Sequence, residues 1–353
     1  MSEFAVLDDL YDAARATLSV DRWNHLVGGA GLERTVAANR AAFDDWAFRP
    51  RVLTGIEHAD TSCEFLGIPL AAPIMTAPVG SDGLYHEQGH KAVARANAAA
   101  GTASVVPAAS TFSLEEIAAA APAAMGMFQL HAAGHPDEFL RLAARAAQSG
   151  YRALCVTVDH PTRGWRDRNL RDGFVPPAEF IGGNYETGPD GALSRQLGRT
   201  KGRLWSWDDL RAAMDDVELP VVIKGILTGE DAELAVDLGA AGLVVSNHGG
   251  RQIDGAVASL RQLPEVVEAV AGHCAIAVDG GVRRGTDILK ALALGADVVL
   301  VGRPIMVGLA AAGEAGVAAV LRILREELTA TMTLTGRPTV ASVDASLLVD
   351  ARR

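Results

Sequence analysis

His248 and Arg251 stand in the run Ser246-Asn247-His248-Gly249-Gly250-Arg251-Gln252, directly after the apolar residues 242–245. The apolar run reads as a buried strand, so the segment sets an imidazole and a guanidinium side by side at the strand's C-terminal mouth. The two glycines let backbone approach something closely. A base beside a carboxylate clamp is what oxidation of a hydroxy acid requires. The plainer alternative is a polar turn with a surface histidine and arginine. Other strand ends supply matching pieces: Thr157 and Asp159 follow one apolar run, Lys224 ends another, Asp279, Gly280, Gly281 and Arg283 follow a third, and Gly302 and Arg303 a fourth.

Each piece has a chemistry. Asp159 could orient His248 and stabilise the imidazolium formed when it takes a proton, provided that their strands face each other across a common mouth. Lys224 ends an apolar strand, so an idle solvent role is disfavoured. It suits a Schiff base or the stabilisation of negative charge on a cofactor or intermediate, and alone it does not decide between them. Gly280, Gly281 and Gly302 permit exposed backbone N–H groups, and Arg283 and Arg303 add charge. A helix beginning near Arg303 would aim its N-terminus at a phosphate held there. Asp279 suits the hydroxyls of a sugar or ribityl chain.

Eight short apolar runs would position these groups: 73–77, 103–107, 124–130, 153–158, 220–224, 242–246, 275–279 and 298–301. Helical patterns alternate with them at 87–99, 113–120, 136–148, 206–216, 228–238, 259–271 and 285–294, with another over 313–332. Ser113 with Glu116, and Thr228 with Asp231, have capping-box spacing, and Gly150, Gly239 and Gly295 sit where helix C-caps fall. The alternation predicts an α/β fold, a (β/α)8 TIM barrel in a single domain over residues 1–353. A doubly wound open sheet is the alternative, but no Gly-x-Gly-x-x-Gly follows the first strand. Residues 1–45 precede the barrel as one or two helices, and 50–70 read as short strands that plug its bottom. Residues 160–205 are long, polar and rich in Gly, Pro and Arg, and are expected to be a mobile substrate lid rather than a passive insertion.

Composition narrows the partners. The chain has 353 residues, 49% hydrophobic and 21% charged, with a formal net charge of -11, which disfavours nucleic acid and anionic membranes. Cys63, Cys155 and Cys274 show neither metal nor redox spacing, so no metal site is expected, and Cys155 and Cys274, in or beside apolar runs, are expected to be buried free thiols. The N-terminus lacks the basic and apolar regions of a signal peptide. No stretch reads as a bilayer span, the Ala-rich segment at 117–124 being broken by Pro122. A cytoplasmic location is expected.

With these residues in view, the chain resembles the FMN-dependent α-hydroxy acid oxidases and dehydrogenases, which include glycolate oxidase, lactate oxidase, mandelate dehydrogenase and hydroxymandelate oxidase. The run 246–252 is close to that family's active-site signature, supported by segments 222–225, 279–286, 291–296 and 301–304. The resemblance covers nearly the whole chain. It implies FMN as cofactor, a small 2-hydroxy acid as substrate, O2 or another electron acceptor, and a homo-oligomer, a tetramer in many members. His248 resembles the catalytic base, Asp159 its carboxylate partner, and Arg251 with Arg166 the clamp on the substrate carboxylate. Lys224 resembles the lysine beside the flavin N1/C2 carbonyl that steadies the anionic reduced flavin. Gln129, Thr157, Ser246 and the backbone near Thr76, Ala77 and Pro78 fall at flavin contacts; Asp279, Gly280, Gly281, Arg283, Gly302 and Arg303 fall at the ribityl and phosphate site. The implied reaction converts a 2-hydroxy acid to its 2-oxo acid, and an oxidative decarboxylase (a monooxygenase) on the same scaffold is the alternative.

The chain departs from the family at the substrate end. His131 follows Phe128-Gln129-Leu130 where many members carry a tyrosine, and His25 stands where another tyrosine is common. Imidazole can still donate a hydrogen bond, and its charge changes near neutral pH. Ala109 occupies a segment that holds a large aromatic in many members. These changes predict a 2-hydroxy acid bulkier than glycolate or lactate, with an aromatic one included.

Overall fold

The computed structural model describes residues 4–124, 126–185 and 204–352. Eight parallel strands close into a barrel: β1 (Ile74–Thr76), β2 (Ala103–Pro107), β3 (Met127–His131), β4 (Ala153–Thr157), β5 (Val221–Ile226), β6 (Gly242–Val245), β7 (Ala275–Asp279) and β8 (Val298–Val301). Each strand pairs with its sequence neighbour, and β8 pairs with β1. The runs are apolar throughout because both faces are covered, by barrel interior within and helices without. The expected strands are met to within a few residues. The third begins at Met127, not 124, because Pro122–Ala124 form a 3-10 turn. The fifth runs on past Lys224 through an irregularity at Gly225, whose φ is +114°.

Helix ends follow the capping chemistry. Ser113 Oγ accepts from Glu116 N at 3.2 Å and Glu116 Oε2 accepts from Ser113 N at 2.9 Å, a closed capping box. Thr228 Oγ1 accepts from Asp231 N, the forward half of that motif. Gly150, Gly239 and Gly295 all have positive φ just past helix ends.

Two parts differ from the sequence expectation. The N-terminal region forms three helices, Leu7–Thr17, Val20–Val27 and Arg34–Ala41, rather than one or two. The last helical pattern is longer, Arg303–Thr335, with non-helical backbone at Ala312 and Gly313 dividing it into two pieces. That segment also corrects the reading that no stretch could span a bilayer. It is long and apolar enough by length and composition, but 72% of its most apolar window is buried inside the fold. Its apolarity serves packing against the helices Leu7–Thr17, Gly89–Ala100 and Gly285–Ala293.

The barrel's floor is closed as expected for 50–70. A hairpin pairs Cys63–Phe65 with Ile68–Leu70. Its Phe65, Ile68 and Leu70 join Met75, Met127, Cys155 and Val244 from the barrel interior in one buried cluster. All three cysteines are free thiols, but only Cys155 is buried; Cys274, at the edge of β7 and not inside it, is half-buried, as is Cys63. Of the expected lid, residues 160–185 and 204–205 are described, and the rest of 160–205 lies outside the described residues. The described part carries a short helix, Asp167–Asp172, packed on Val20–Val27.

Candidate active site

A cavity of about 750 Å³ opens at the C-terminal ends of the strands. Its walls come from the loops after β1, β2, β4, β6, β7 and β8, together with the end of the Val20–Val27 helix. This is the face on which such barrels place their chemistry.

The segment after β6 is built residue by residue. Ser246 is fully buried, and its Oγ accepts from Lys224 Nζ at 2.9 Å and from His248 N at 3.0 Å. Asn247 exchanges two 2.8 Å hydrogen bonds with Asn39 and so pins the Arg34–Ala41 helix beneath the loop. His248, Gly249 and Gly250 then have φ of +58°, +62° and +74°. A histidine in this left-handed region is uncommon and costs of order 1–3 kcal/mol, so the surroundings must impose it. At Gly250 a side chain is excluded outright, because a Cβ would lie 2.8 Å from Val36 N. Gln252 Nε2 donates to Asp159 O at 2.8 Å and Thr162 O at 3.0 Å, which ties the loop after β4 to the loop after β6.

That tie places the dyad. His248 Nδ1 and Asp159 Oδ1 are 3.0 Å apart, across the mouth from β6 to β4. Burial alone would raise the Asp159 carboxyl, but His248 and Lys224 outweigh it and hold the group below its ordinary value. Burial pushes His248 below its ordinary value; Asp159 opposes this, while Lys224 and Arg166 add to it. At neutral pH the pair is therefore a carboxylate and a neutral imidazole. The carboxylate accepts from Nδ1–H, which leaves the Nε2 lone pair free to take a proton.

Lys224 is equally defined. Its Nζ lies 3.2 Å from Asp279 Oδ2. Burial would lower it, but Asp279 and Asp159 prevail and hold it above its ordinary value. It is thus a fixed cation and not a neutral amine, which disfavours the Schiff-base chemistry that the sequence left open.

The arginines crowd together. Arg251 Nη1 donates to His25 O at 2.8 Å and Gly28 O at 2.9 Å, at the C-terminal end of the Val20–Val27 helix. Part of the expected clamp is thus committed to holding that helix in place. Arg166 Nε donates to Arg251 O at 3.3 Å. Burial, then Arg251 and Arg163, drive Arg166 well below its ordinary value. Arg303 donates to Gly249 O at 2.9 Å and Gly28 O at 2.8 Å. Burial, with Arg251 and Arg283 nearby, brings it down to about 9. Buried guanidinium groups that depress one another create a demand for anions.

Other expected contacts take different positions. Ala77, Pro78, Ala109, His131, Asp279, Gly280, Gly281, Arg283 and Gly302 line the cavity. The Thr76 side chain does not: its Oγ1 accepts from Asn97 on the Gly89–Ala100 helix, so only its backbone is available to a ligand. Gln129, Thr157 and Ser246 are buried and likewise do not line the cavity; Gln129 Nε2 donates to Thr157 Oγ1 at 3.1 Å, and Ser246 is taken up by Lys224 and His248. Gly281 is required by packing, since a Cβ there would lie 2.2 Å from Asn39 O. His25 is not the near-neutral switch expected. Asn169 Nδ2 donates to its Nδ1 at 2.7 Å, and burial with Arg251 and Arg166 nearby drives it well below its ordinary value, so it stays neutral.

Several lining residues were not visible as site residues in the sequence, among them Ser81, Tyr85, His160 and Arg163. Tyr85 is buried, and burial pushes its hydroxyl up to about 12. Only the length and polarity of 160–205 hinted at His160 and Arg163.

Two buried polar atoms test the fit of a phosphorylated cofactor. Asp279 Oδ1 and Arg303 Nε have no hydrogen-bond partner among the described residues, and both residues line the cavity beside Gly280–Arg283 and Gly302. One is an acceptor suited to a hydroxyl and the other a donor suited to a phosphate oxygen. The set fits a ribityl phosphate. Among the described residues no cluster of His, Cys, Asp and Glu could hold a metal ion.

Fold and site together define a barrel whose cavity suits a phosphorylated cofactor beside a histidine–aspartate pair. Comparison with known proteins gives it a lineage. A family model described as FMN-dependent dehydrogenase matches residues 14–350. L-lactate oxidase from Nostoc sp. is 42% identical over 95% of each chain. 4-Hydroxymandelate oxidase from Amycolatopsis orientalis is 41% identical over 96% of each chain. A solved structure of mandelate oxidase with (S)-4-hydroxymandelic acid superposes with a TM-score of 0.91 at 41% identity, covering 98% of both chains. The chain belongs to the FMN-dependent dehydrogenase family, and it is an FMN-dependent oxidoreductase of 2-hydroxy acids.

Proposed function

We propose that the chain oxidises a 2-hydroxy acid bulkier than lactate, an aromatic one included, to the 2-oxo acid. The observation that carries this reading is the Asp159–His248 dyad at 3.0 Å, whose histidine lines a cavity together with Arg166 and Arg251. Arg251 and Arg166 bind the substrate carboxylate and fix C2 near His248. Nε2 takes a substrate proton, and Asp159 stabilises the imidazolium that results. FMN, when bound, supplies the two-electron acceptor. Asp279, Gly280, Gly281, Arg283, Gly302 and Arg303 hold its ribityl phosphate, while Lys224 places a fixed positive charge where negative charge develops.

The size of the substrate follows from what lines the cavity. Ala109 contributes only a methyl group, while Leu170, Phe174 and Ile181 offer apolar surface to a larger substituent. The likeness to mandelate oxidase supports this choice, and the equal likeness to L-lactate oxidase makes the substrate panel decisive. Anaerobic bleaching of the FMN absorbance by a series of 2-hydroxy acids tests it. Mandelate-sized acids are expected to reduce the cofactor faster than lactate or glycolate, and the reverse order would reject the size assignment. His248→Ala should abolish bleaching while FMN stays bound; undiminished bleaching would reject the base. We also propose the homo-oligomer implied by the family resemblance, which sedimentation tests directly.

A further inference from the structure

The charges around the cavity do not balance once cofactor and substrate are counted. The whole chain carries -11. Yet the cavity is lined by Arg163, Arg166, Lys224, Arg251, Arg283 and Arg303 against one carboxylate, Asp279. Asp279 is already paired with Lys224. On the reading above, a phosphate answers Arg283 and Arg303, and the substrate's own carboxylate answers Arg166 and Arg251. Arg163 is left over.

Arg163 has no ion pair among the described residues, and only burial acts on its ionisation, lowering it. Its charge is nevertheless felt at Arg166, Arg251 and His25, so it stands close to the carboxylate clamp. Arg163 is exposed at the rim of the cavity, where its guanidinium offers planar N–H donors beside other cations, with no counter-ion among the described residues. The residues around it are polar too. His160 precedes it on the same loop, and the rings of His160 and His131 lie 5.0 Å apart. His160 also stacks on His248, with centroids 5.4 Å apart and planes 28° apart. His160, His131 and Arg163 all line the cavity: the two histidines continue outward from the base, and Arg163 follows His160 on the same loop. Leu170, Phe174 and Ile181 add apolar surface to the same cavity for a carbon skeleton.

We propose that His131, His160 and Arg163 form a subsite for a second carboxylate, so that the preferred substrate is a 2-hydroxy acid with a distal carboxylate. This rests on the hydroxy acid reading of the His248 site. The reaction is unchanged: the C2–H and hydroxyl O–H bonds break as a C=O bond forms, His248 takes one proton, bound FMN would accept the two electrons with the other proton, and the distal carboxylate stays intact.

The test uses matched pairs on the FMN-loaded protein. 2-Hydroxyglutarate and 2-hydroxypentanoate differ only in the distal group, and each enantiomer is followed by anaerobic FMN bleaching. Binding of the unreactive pair glutarate and pentanoate is measured by calorimetry. The dianion of each pair is expected to lead by about tenfold or more in kcat/KM and in affinity, a gain typical of one charge-assisted hydrogen-bonded pair. Arg163→Gln should cut the 2-hydroxyglutarate value at least about fivefold more than the 2-hydroxypentanoate value, and Arg163→Lys should restore part of the difference. Equal or better turnover and binding of the uncharged-tail partner would overturn the subsite. If 2-hydroxyglutarate fails while mandelate or lactate reduces FMN, the subsite falls and the hydroxy acid reading stands. Failure of every 2-hydroxy acid would overturn that underlying reading, and the subsite with it.

Discussion

Replacing Asp159 by asparagine keeps the shape of the dyad and removes its charge. The contact is 3.0 Å between His248 Nδ1 and Asp159 Oδ1. The centres of charge lie farther apart, so at ~4 Å and an effective dielectric of ~20 the attraction between carboxylate and imidazolium is ~4 kcal/mol. A neutral amide retains part of the hydrogen bond, so the loss is ~2–4 kcal/mol, and at 1.36 kcal/mol per decade this slows the step that protonates His248 by roughly 30- to 1,000-fold. Asparagine can also present its N–H2 to Nδ1, which moves the imidazole proton to Nε2 and blocks the base. Because Arg166 and Arg251 are untouched, binding of a carboxylate ligand should change little. The assay is anaerobic stopped-flow reduction of FMN in Asp159→Asn, with ligand affinity followed by perturbation of the flavin spectrum. Reduction within about threefold of the parent, at full FMN occupancy, would show that the dyad does not carry the proton transfer.

Four further outcomes follow from the same geometry. Since His248 must be neutral to act and its ionisation is pushed down, kcat/KM should rise with pH on a limb centred below ~6.5 and then plateau; a limb centred above pH 7.5 would refute the assignment. His25 is also held well below its ordinary value in the fold, so the unfolded chain binds protons first as the pH falls. Stability should therefore be lost on acidification below ~6.5 and stay flat above it, and His25→Gln should flatten the melting-temperature profile below that point. Lys224→Met leaves Asp279 buried without its counter-ion. At ~3–5 kcal/mol for a broken buried pair and ~2.1 cal/mol/K of unfolding entropy per residue, the melting temperature should fall by ~4–7 °C, and adding Asp279→Leu should recover part of it. Gly281→Ala forces a Cβ to 2.2 Å from Asn39 O at a φ of +85°, whereas Gly302→Ala meets Ala77 and Val79 at an ordinary 3.6 Å. The first should destabilise by more than ~2 kcal/mol and the second by less than ~1 kcal/mol in denaturant unfolding; equal effects would contradict the packing argument.

What was legible in the sequence was what short-range pattern encodes. Apolar runs report burial, so the eight strands and their order could be read, and polar residues at their ends marked His248, Asp159, Lys224 and Asp279. Contacts between distant segments leave no such trace. Nothing in the spacing says that Arg251 donates to His25 O and Gly28 O, or that Gly281 is a glycine because Asn39 packs against it. Thr76 sits at a strand end like the functional residues, yet its hydroxyl belongs to Asn97 on the outer layer. The character of His25 was misjudged for a related reason: an isolated imidazole titrates near neutrality, and only the fold surrounds it with arginines. The apolar stretch from Arg303 looked shorter than it is because Gly313 interrupts the pattern, although the backbone bends there and continues.

The hairpin beneath the barrel has a kinetic consequence. With Phe65, Ile68 and Leu70 packed among the barrel's interior residues, the lower end of the barrel is filled, and the site opens at the strand ends. Substrate enters, product leaves and the final electron acceptor arrives through that opening. Traffic must then take turns: a lingering 2-oxo acid delays reoxidation as well as the next substrate, and strong product inhibition would be expected with any acceptor too large to pass it. An acceptor as small as O2 can slip by, whereas a protein acceptor must collect its electrons at the rim.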